Sequence, residues 1–203
     1  MKKQASLDQA QLRELLHQAL ETERGGIKVY EMALQCAVNE DLRKEWEEYL
    51  EQTRRHEQVL LQVFGQLGLD ANERTPGQEV VGLIGESLVQ AMTQAKAAGD
   101  PAGAELTACE CVVLAETKDH QNWELIGQVA KHGKSQGVDA LKAAYEEVEP
   151  QEDQHLYHTK GWCRELWLDS LGFEAVLPPP EEVRHVETAI GAARAEQSRE
   201  QFM

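Results

Sequence analysis

The chain has few positive charges and few aromatic side chains. The shortage of positive charge limits the kinds of partner that it can bind. Its 203 residues contain 20 Lys and Arg against 36 Asp and Glu, which gives a formal net charge of −16. Excess negative charge repels phosphate backbones and anionic lipid head groups, so we expect neither nucleic acid nor a membrane as a partner. The same excess attracts cations, although solubility alone is its commoner cause.

Metal-binding cysteine pairs and long apolar runs are also absent. None of the four cysteines forms the Cys-x-x-Cys spacing of a zinc ribbon, and Cys109 and Cys111 are two residues apart, on opposite sides of a helix. Buried free thiols are therefore expected. No run approaches about eighteen apolar residues, and no apolar segment follows the two N-terminal lysines, which predicts a cytoplasmic protein. The sequence also lacks a nucleophile elbow, a P-loop and a glycine-rich dinucleotide turn.

Apolar residues recur at three- and four-residue steps through most of the chain, and no stretch alternates with the period of a strand. This spacing predicts an all-α fold, with a shorter helix from Pro76 to Ala98 between the second and third of four long helices. Pro150 falls inside the last long helix, so a kinked helix and two consecutive helices both stay open. The long helices are predicted over Ser6–Val38, Asn39–Gly68, Pro101–Ala130 and Val138–Gly172.

The composition changes at about residue 175, which divides the chain into two predicted parts. Residues 1–175 hold the long helices, whereas residues 176–203 begin with a stiff connector containing Pro178, Pro179 and Pro180. A polar, alanine-rich segment follows the connector and is expected to form a helical tail outside the core. Inside the first helix, Gly25 and Gly26 each cost about 1 kcal/mol relative to alanine, so a close backbone approach is expected there.

A weak internal repeat relates the two halves of the chain. Glu23 precedes Tyr30 by seven residues (30 − 23), and Glu116 precedes Trp123 by seven residues (123 − 116). Seven residues make two helical turns, so each acid lies on the same helix face as its aromatic residue. This matched spacing favours a buried role for both acids over a solvated helix face.

Each half continues into a second helix that carries a candidate histidine. His56 lies 33 residues after Glu23 (56 − 23), and His155 lies 39 residues after Glu116 (155 − 116). Glu152 and His155 form a Glu-x-x-His motif, whose side chains lie on one helix face and can share a metal ion. Carboxylate oxygen with imidazole nitrogen is a ligand set that suits iron or manganese.

One Glu from each of two helices with Glu-x-x-His from the other two is the di-iron carboxylate pattern of helical bundles. Residues 7–172 thereby resemble the ferritin-like superfamily, nearest to its rubrerythrin, bacterioferritin and stress-induced branches. The resemblance implies a four-helix bundle with a helix in the crossover, a homodimer, and oxidoreductase-type chemistry with oxygen or peroxide. It also implies an iron or manganese centre ligated by Glu23, His56, Glu116, Glu152 and His155.

The first half departs from this pattern at Thr53, which occupies the acid position of Glu-x-x-His. Glu51 cannot replace it, because residues five apart lie about 140° apart around a helix. A di-iron centre, a mononuclear centre held mainly by the second half, and a lost centre therefore all remain open. Asp119, one turn after Glu116, is read either as an optional ligand or as a surface residue beside Lys118. A metal-free ferritin-like bundle that acts as a stress-related scaffold or interaction module is the alternative function.

Overall fold

The computed structural model of the protein describes residues 7–133 and 137–173. The regular structure in these ranges is entirely helical, which confirms the prediction of an all-α fold. The predicted connector and tail, residues 176–203, lie outside the described residues and stay a prediction. The five helices are α1 (Gln9–Cys36), α2 (Glu40–Leu67), α3 (Pro76–Ala97), α4 (Pro101–His132) and α5 (Val138–Ser170).

Local sequence signals set most of the helix ends. The Asn39 side chain accepts hydrogen bonds from the first-turn amides of α2, and the helix ends at Gly68, whose φ of 66° is left-handed. Thr75 and Gln78 form a capping box at the start of α3, and Pro76 occupies its first turn. These ends match the predicted ones. α5 runs through Pro150 without interruption, so the single-helix interpretation holds.

The packing places two apolar clusters at opposite ends of the long helices. α1 packs against α2, α3 and α4, while α5 packs against α4 and, less closely, against α2. One cluster contains Val29, Trp46, Val112 and Trp162, and the other contains residues such as Leu20. Each long helix contributes to both clusters, and between them each contributes charged or polar side chains. A buried polar layer therefore lies between two apolar caps.

The adjacent glycines in α1 lie where the backbone comes closest to its neighbours. A Cβ added at Gly25 would lie 3.9 Å from the Cα of Gly85 in α3. A Cβ added at Gly26 would lie 3.3 Å from the Cγ2 of Thr53 in α2, a tight contact. The predicted close approach is therefore present, and it seats α3 against α1. In the part of the chain that the structure describes, no helix is both long and apolar enough to cross a membrane.

The cysteines behave as the spacing predicts. All four thiols are free, and Cys36, Cys109 and Cys111 are buried. Burial raises the pKa of Cys111 to about 11, so its thiol stays protonated at neutral pH. Cys109 and Cys111, the two cysteines of the Cys-x-Cys sequence, are both part of the apolar packing.

Candidate metal centre

The polar layer brings together all five residues proposed as ligands from the sequence, with one more acid. The helices α1 and α2 contribute one residue each, and α4 and α5 contribute two each. None of the six is more than 4% exposed, which excludes the solvated-face interpretation of the acids. They are Glu23, His56, Glu116, Asp119, Glu152 and His155.

Glu152 lies between the two histidines and divides the centre into two half-sites. Its Oε1 is 2.9 Å from His56 Nδ1 and 3.7 Å from His155 Nδ1. His56 Nδ1 is also 3.8 Å from Glu23 Oε2, while His155 Nδ1 is 3.6 Å from Glu116 Oε2. The first half-site is therefore Glu23 with His56, and the second is Glu116 with His155. Glu152 is shared by both.

Asp119 belongs to the centre and is no surface residue. It offers an oxygen that, with oxygens of Glu23 and Glu152, forms a group within 4.8 Å; His56, Glu152 and His155 form a second such group. Asp119, on α4, thus supplies the first half-site with the carboxylate that α2 lacks at Thr53.

Thr53 itself contributes no ligand atom, because its hydroxyl donates a 2.8 Å hydrogen bond to the Tyr49 carbonyl. With Asp119 included, the centre holds four carboxyl groups and two imidazoles. The first half-site is therefore no poorer in candidate ligands than the second, on which the mononuclear alternative depends.

The strongest feature of the centre is a set of buried polar atoms that lack partners. Seven such atoms converge from the four long helices, and none makes a hydrogen bond with another residue that the structure describes. The 2.9 Å approach of His56 Nδ1 to Glu152 Oε1 is a close contact without hydrogen-bond geometry. Buried polar groups normally do have partners, so each exception asks for an explanation. The seven are Glu23 Oε2, His56 Nδ1, Glu116 Oε2, Asp119 Oδ1, both carboxyl oxygens of Glu152, and His155 Nδ1.

Two other buried acids of the protein show that burial in this fold is compatible with hydrogen bonding. Glu45 accepts a 2.8 Å hydrogen bond from the Tyr49 hydroxyl on one oxygen and a 2.9 Å bond from Trp162 Nε1 on the other. Glu105 accepts hydrogen bonds of 2.6 Å from the backbone amides of Val38 and Asn39. Burial alone therefore need not leave a carboxyl group without partners, and outside the centre the described residues with such atoms include Asp153, at Oδ2, and His17, at both ring nitrogens.

The electrostatics of the centre favour a bound cation. Burial raises the pKa of Glu23, Asp119 and Glu152 well above the usual carboxyl range, and neighbouring carboxylates raise it further. Burial also lowers the pKa of His56 to about 4, so its ring is neutral at pH 7. A neutral imidazole can donate its lone pair to a metal, and a cation would displace the carboxyl protons.

The two repeated aromatic residues orient the acids by exchanging partners across the repeat. Trp123 Nε1 donates a 2.8 Å hydrogen bond to Glu23 Oε1, and the Tyr30 hydroxyl donates a 2.7 Å bond to Glu116 Oε1. The aromatic ring from each half of the repeat therefore hydrogen-bonds to the acid from the other half. One oxygen of each carboxyl group is held, and the other points into the centre.

Two glutamines hold the histidines in the same reciprocal way, and the sequence analysis missed them. His56 Nε2 lies 2.7 Å from Gln151 Oε1 on α5, and His155 Nε2 lies 2.7 Å from Gln52 Oε1 on α2. The available signal was the repeated spacing, because each glutamine precedes the histidine of its own helix by four residues. With Nε2 held by an acceptor, each ring directs Nδ1 at the carboxyl groups.

Comparison of the chain with protein-family models, curated proteins and solved structures found no match.

Proposed function

We propose that this protein is a ferritin-like four-helix-bundle metalloprotein that binds two iron or manganese ions and uses them in reactions with oxygen or peroxide. The observation that carries the proposal is the convergence of seven partnerless donor atoms in one buried layer. The crossover position of α3, between the paired long helices, also agrees with the resemblance found in the sequence.

The donor set supports iron or manganese over zinc or copper. Four carboxyl groups and two imidazoles, with no thiolate, form a hard ligand set that suits Fe and Mn. Glu23, His56 and Asp119 would hold one ion, Glu116 and His155 would hold the other, and Glu152 would contact both. A single ion held by His56, Glu152 and His155 would leave oxygens of Glu23 and Asp119 without a partner.

The chain's own residues bind, orient and exclude water, while the bound metal would supply the electron transfer. The apolar clusters on either side of the centre limit solvent access and lower the local dielectric constant. Tyr30 and Trp123 keep one oxygen of Glu116 and of Glu23 directed into the centre. Metal uptake would release the protons that burial holds on the carboxyl groups, so we expect uptake to weaken as the pH falls.

The alternative, a metal-free scaffold, explains these atoms poorly. A buried polar group without a partner costs about 1–3 kcal/mol, whereas a whole domain is stable by only about 5–15 kcal/mol. A scaffold would gain stability by replacing such groups with apolar side chains. Retaining four acids and two histidines in the layer is reasonable only where a ligand satisfies them.

Anaerobic titration with ferrous ion tests the proposal. We expect two equivalents per chain, followed by oxygen or peroxide consumption that exceeds that of free ferrous ion. Stoichiometric binding that leaves the oxidation rate at the level of the free ion would refute the redox part. Failure to bind iron or manganese would refute the proposal as a whole.

A further inference from the structure

The reciprocal glutamines on α2 and α5 form the outer contacts of both histidines. Gln52 and Gln151 are half-buried, whereas the two rings they hold are fully buried. Each glutamine oxygen lies 2.7 Å from the Nε2 of the histidine on the opposite helix. The two glutamines therefore bridge α2 and α5 and fix the orientation of both imidazole rings.

The acceptor in this contact is a neutral amide oxygen. A ligating histidine donates its second N–H to a carboxylate, a backbone carbonyl or water, and a carboxylate in this place raises the basicity of the ring and stabilises a more highly charged metal. An amide oxygen accepts the same hydrogen bond without adding charge. Gln52 and Gln151 thus orient the imidazoles but add no negative charge beside them.

The charge of the centre makes this difference important. Four carboxylates and two neutral imidazoles carry a formal charge of −4, which two divalent ions balance. Two trivalent ions would leave an excess of +2 in a buried layer, where uncompensated charge is costly. Two basic side chains near the layer have other partners: Arg55 pairs with Glu147 at 2.8 Å, and Lys118 donates to Asn122.

We propose that Gln52 and Gln151 are positioning residues that fix both histidine ligands while keeping the centre electroneutral with divalent ions. The inference rests on the proposed function and adds to it a preference in oxidation state. A centre of this kind would favour the divalent over the trivalent state, which corresponds to a higher midpoint potential than carboxylate acceptors in the same places would give. That behaviour suits a cycling oxidoreductase better than a store of ferric iron.

Substitution of the glutamines separates the positioning effect from the charge effect. Gln52→Glu and Gln151→Glu keep the acceptor and the length of the side chain but add a negative charge. Gln52→Leu and Gln151→Leu remove the acceptor at similar volume. Gln58→Glu, on an exposed face of α2, adds the same charge outside the centre and serves as the matched control.

The measurements are ferrous affinity by anaerobic titration and the midpoint potential of the iron-loaded protein by redox titration. We expect each leucine variant to lose about 10–100-fold in affinity, because a released ring no longer presents Nδ1. We expect each glutamate variant to keep its affinity for ferrous ion but to favour ferric over ferrous iron by about tenfold. That shift is about 59 mV toward lower potential for a one-electron couple.

The outcomes distinguish the inference from the function on which it rests. If the unmodified protein binds two ferrous ions but the glutamate variants match Gln58→Glu in potential, the charge argument is wrong and the proposed function stands. Unchanged affinity in the leucine variants, with helical content retained by circular dichroism, would overturn the positioning role. Absence of iron binding by the unmodified protein would overturn both proposals.

Discussion

Replacing Glu152 by glutamine should have opposite effects on the metal-free and the metal-loaded protein. Glu152 is the residue common to both candidate ligand groups, so the substitution removes an anionic ligand from each half-site. In the metal-free protein the same change removes an ionisable group whose pKa burial and neighbouring carboxylates raise. We therefore expect the metal-free variant to be at least as stable as the unmodified protein above neutral pH.

The size of the metal effect follows from linkage. A ligand at one hundred times its dissociation constant stabilises the folded state by about 2.7 kcal/mol per site. For a domain of 150–250 residues, each kcal/mol shifts Tm by about 2–4 °C, so each ion should raise Tm by roughly 5–11 °C. Glu152→Gln should lose most of this rise.

Thermal melts with and without manganous ion measure both effects, and Glu45→Gln is the control. Glu45 is a buried acid like Glu152 but lies on α2, and both of its oxygens have hydrogen-bond partners. We expect this control to be destabilised without metal and to retain the metal-induced rise in Tm. If Glu152→Gln lowers the metal-free Tm and keeps the full metal-induced rise, the reasoning is wrong.

Three further predictions concern pH, the orienting tryptophan and the tail. The pKa values of Glu23, Asp119 and Glu152 are raised in the folded state, so at pH values between the ordinary carboxyl range and the raised values the metal-free folded state binds more protons than the unfolded state. The free energy of unfolding should then fall as pH rises through the folded-state pKa values, by at most about 1.4 kcal/mol per pH unit and proton, in urea titrations at pH 6.5–8.5. Protonation linked to the lowered pKa of His56 acts only below this window; a rise in stability with pH would contradict the assignment. Trp123→Phe removes the hydrogen bond to Glu23, so ferrous titration should show about tenfold weaker binding, and unchanged affinity would remove the orienting role. Truncation after Leu177 should leave the helical circular dichroism and the melting transition in place, and sedimentation would show whether the implied homodimer persists; aggregation would show that the tail covers the core.

The buried placement of the five candidate ligand residues could be predicted because it follows from spacing within single helices. Seven-residue steps place Glu23 and Glu116 on the same faces as buried aromatic rings, and a three-residue step pairs Glu152 with His155. The same reasoning predicted the helix ends at Asn39 and Gly68. These features depend on local sequence alone.

The parts that were missed depend on how different helices meet. The sequence left Asp119 open as an optional ligand or a surface residue; it offers the candidate half-site of His56 a carboxylate from another helix, so a search of α2 for an acid at Thr53 could not decide between the two. The glutamines cross between α2 and α5, and their pairing depends on the relative rotation of the two helices. Apolar periodicity within one helix contains no such information.

Anomalous diffraction from crystals grown anaerobically with ferrous ion would locate the bound ions. We expect two iron peaks per chain, about 3.5–4 Å apart as in two-metal sites, one beside His56 Nδ1 and one beside His155 Nδ1, with Glu152 contacting both. Iron peaks confined to surface carboxylates, with the polar layer containing only hydrogen-bonded protein atoms and water, would contradict the proposed two-metal centre.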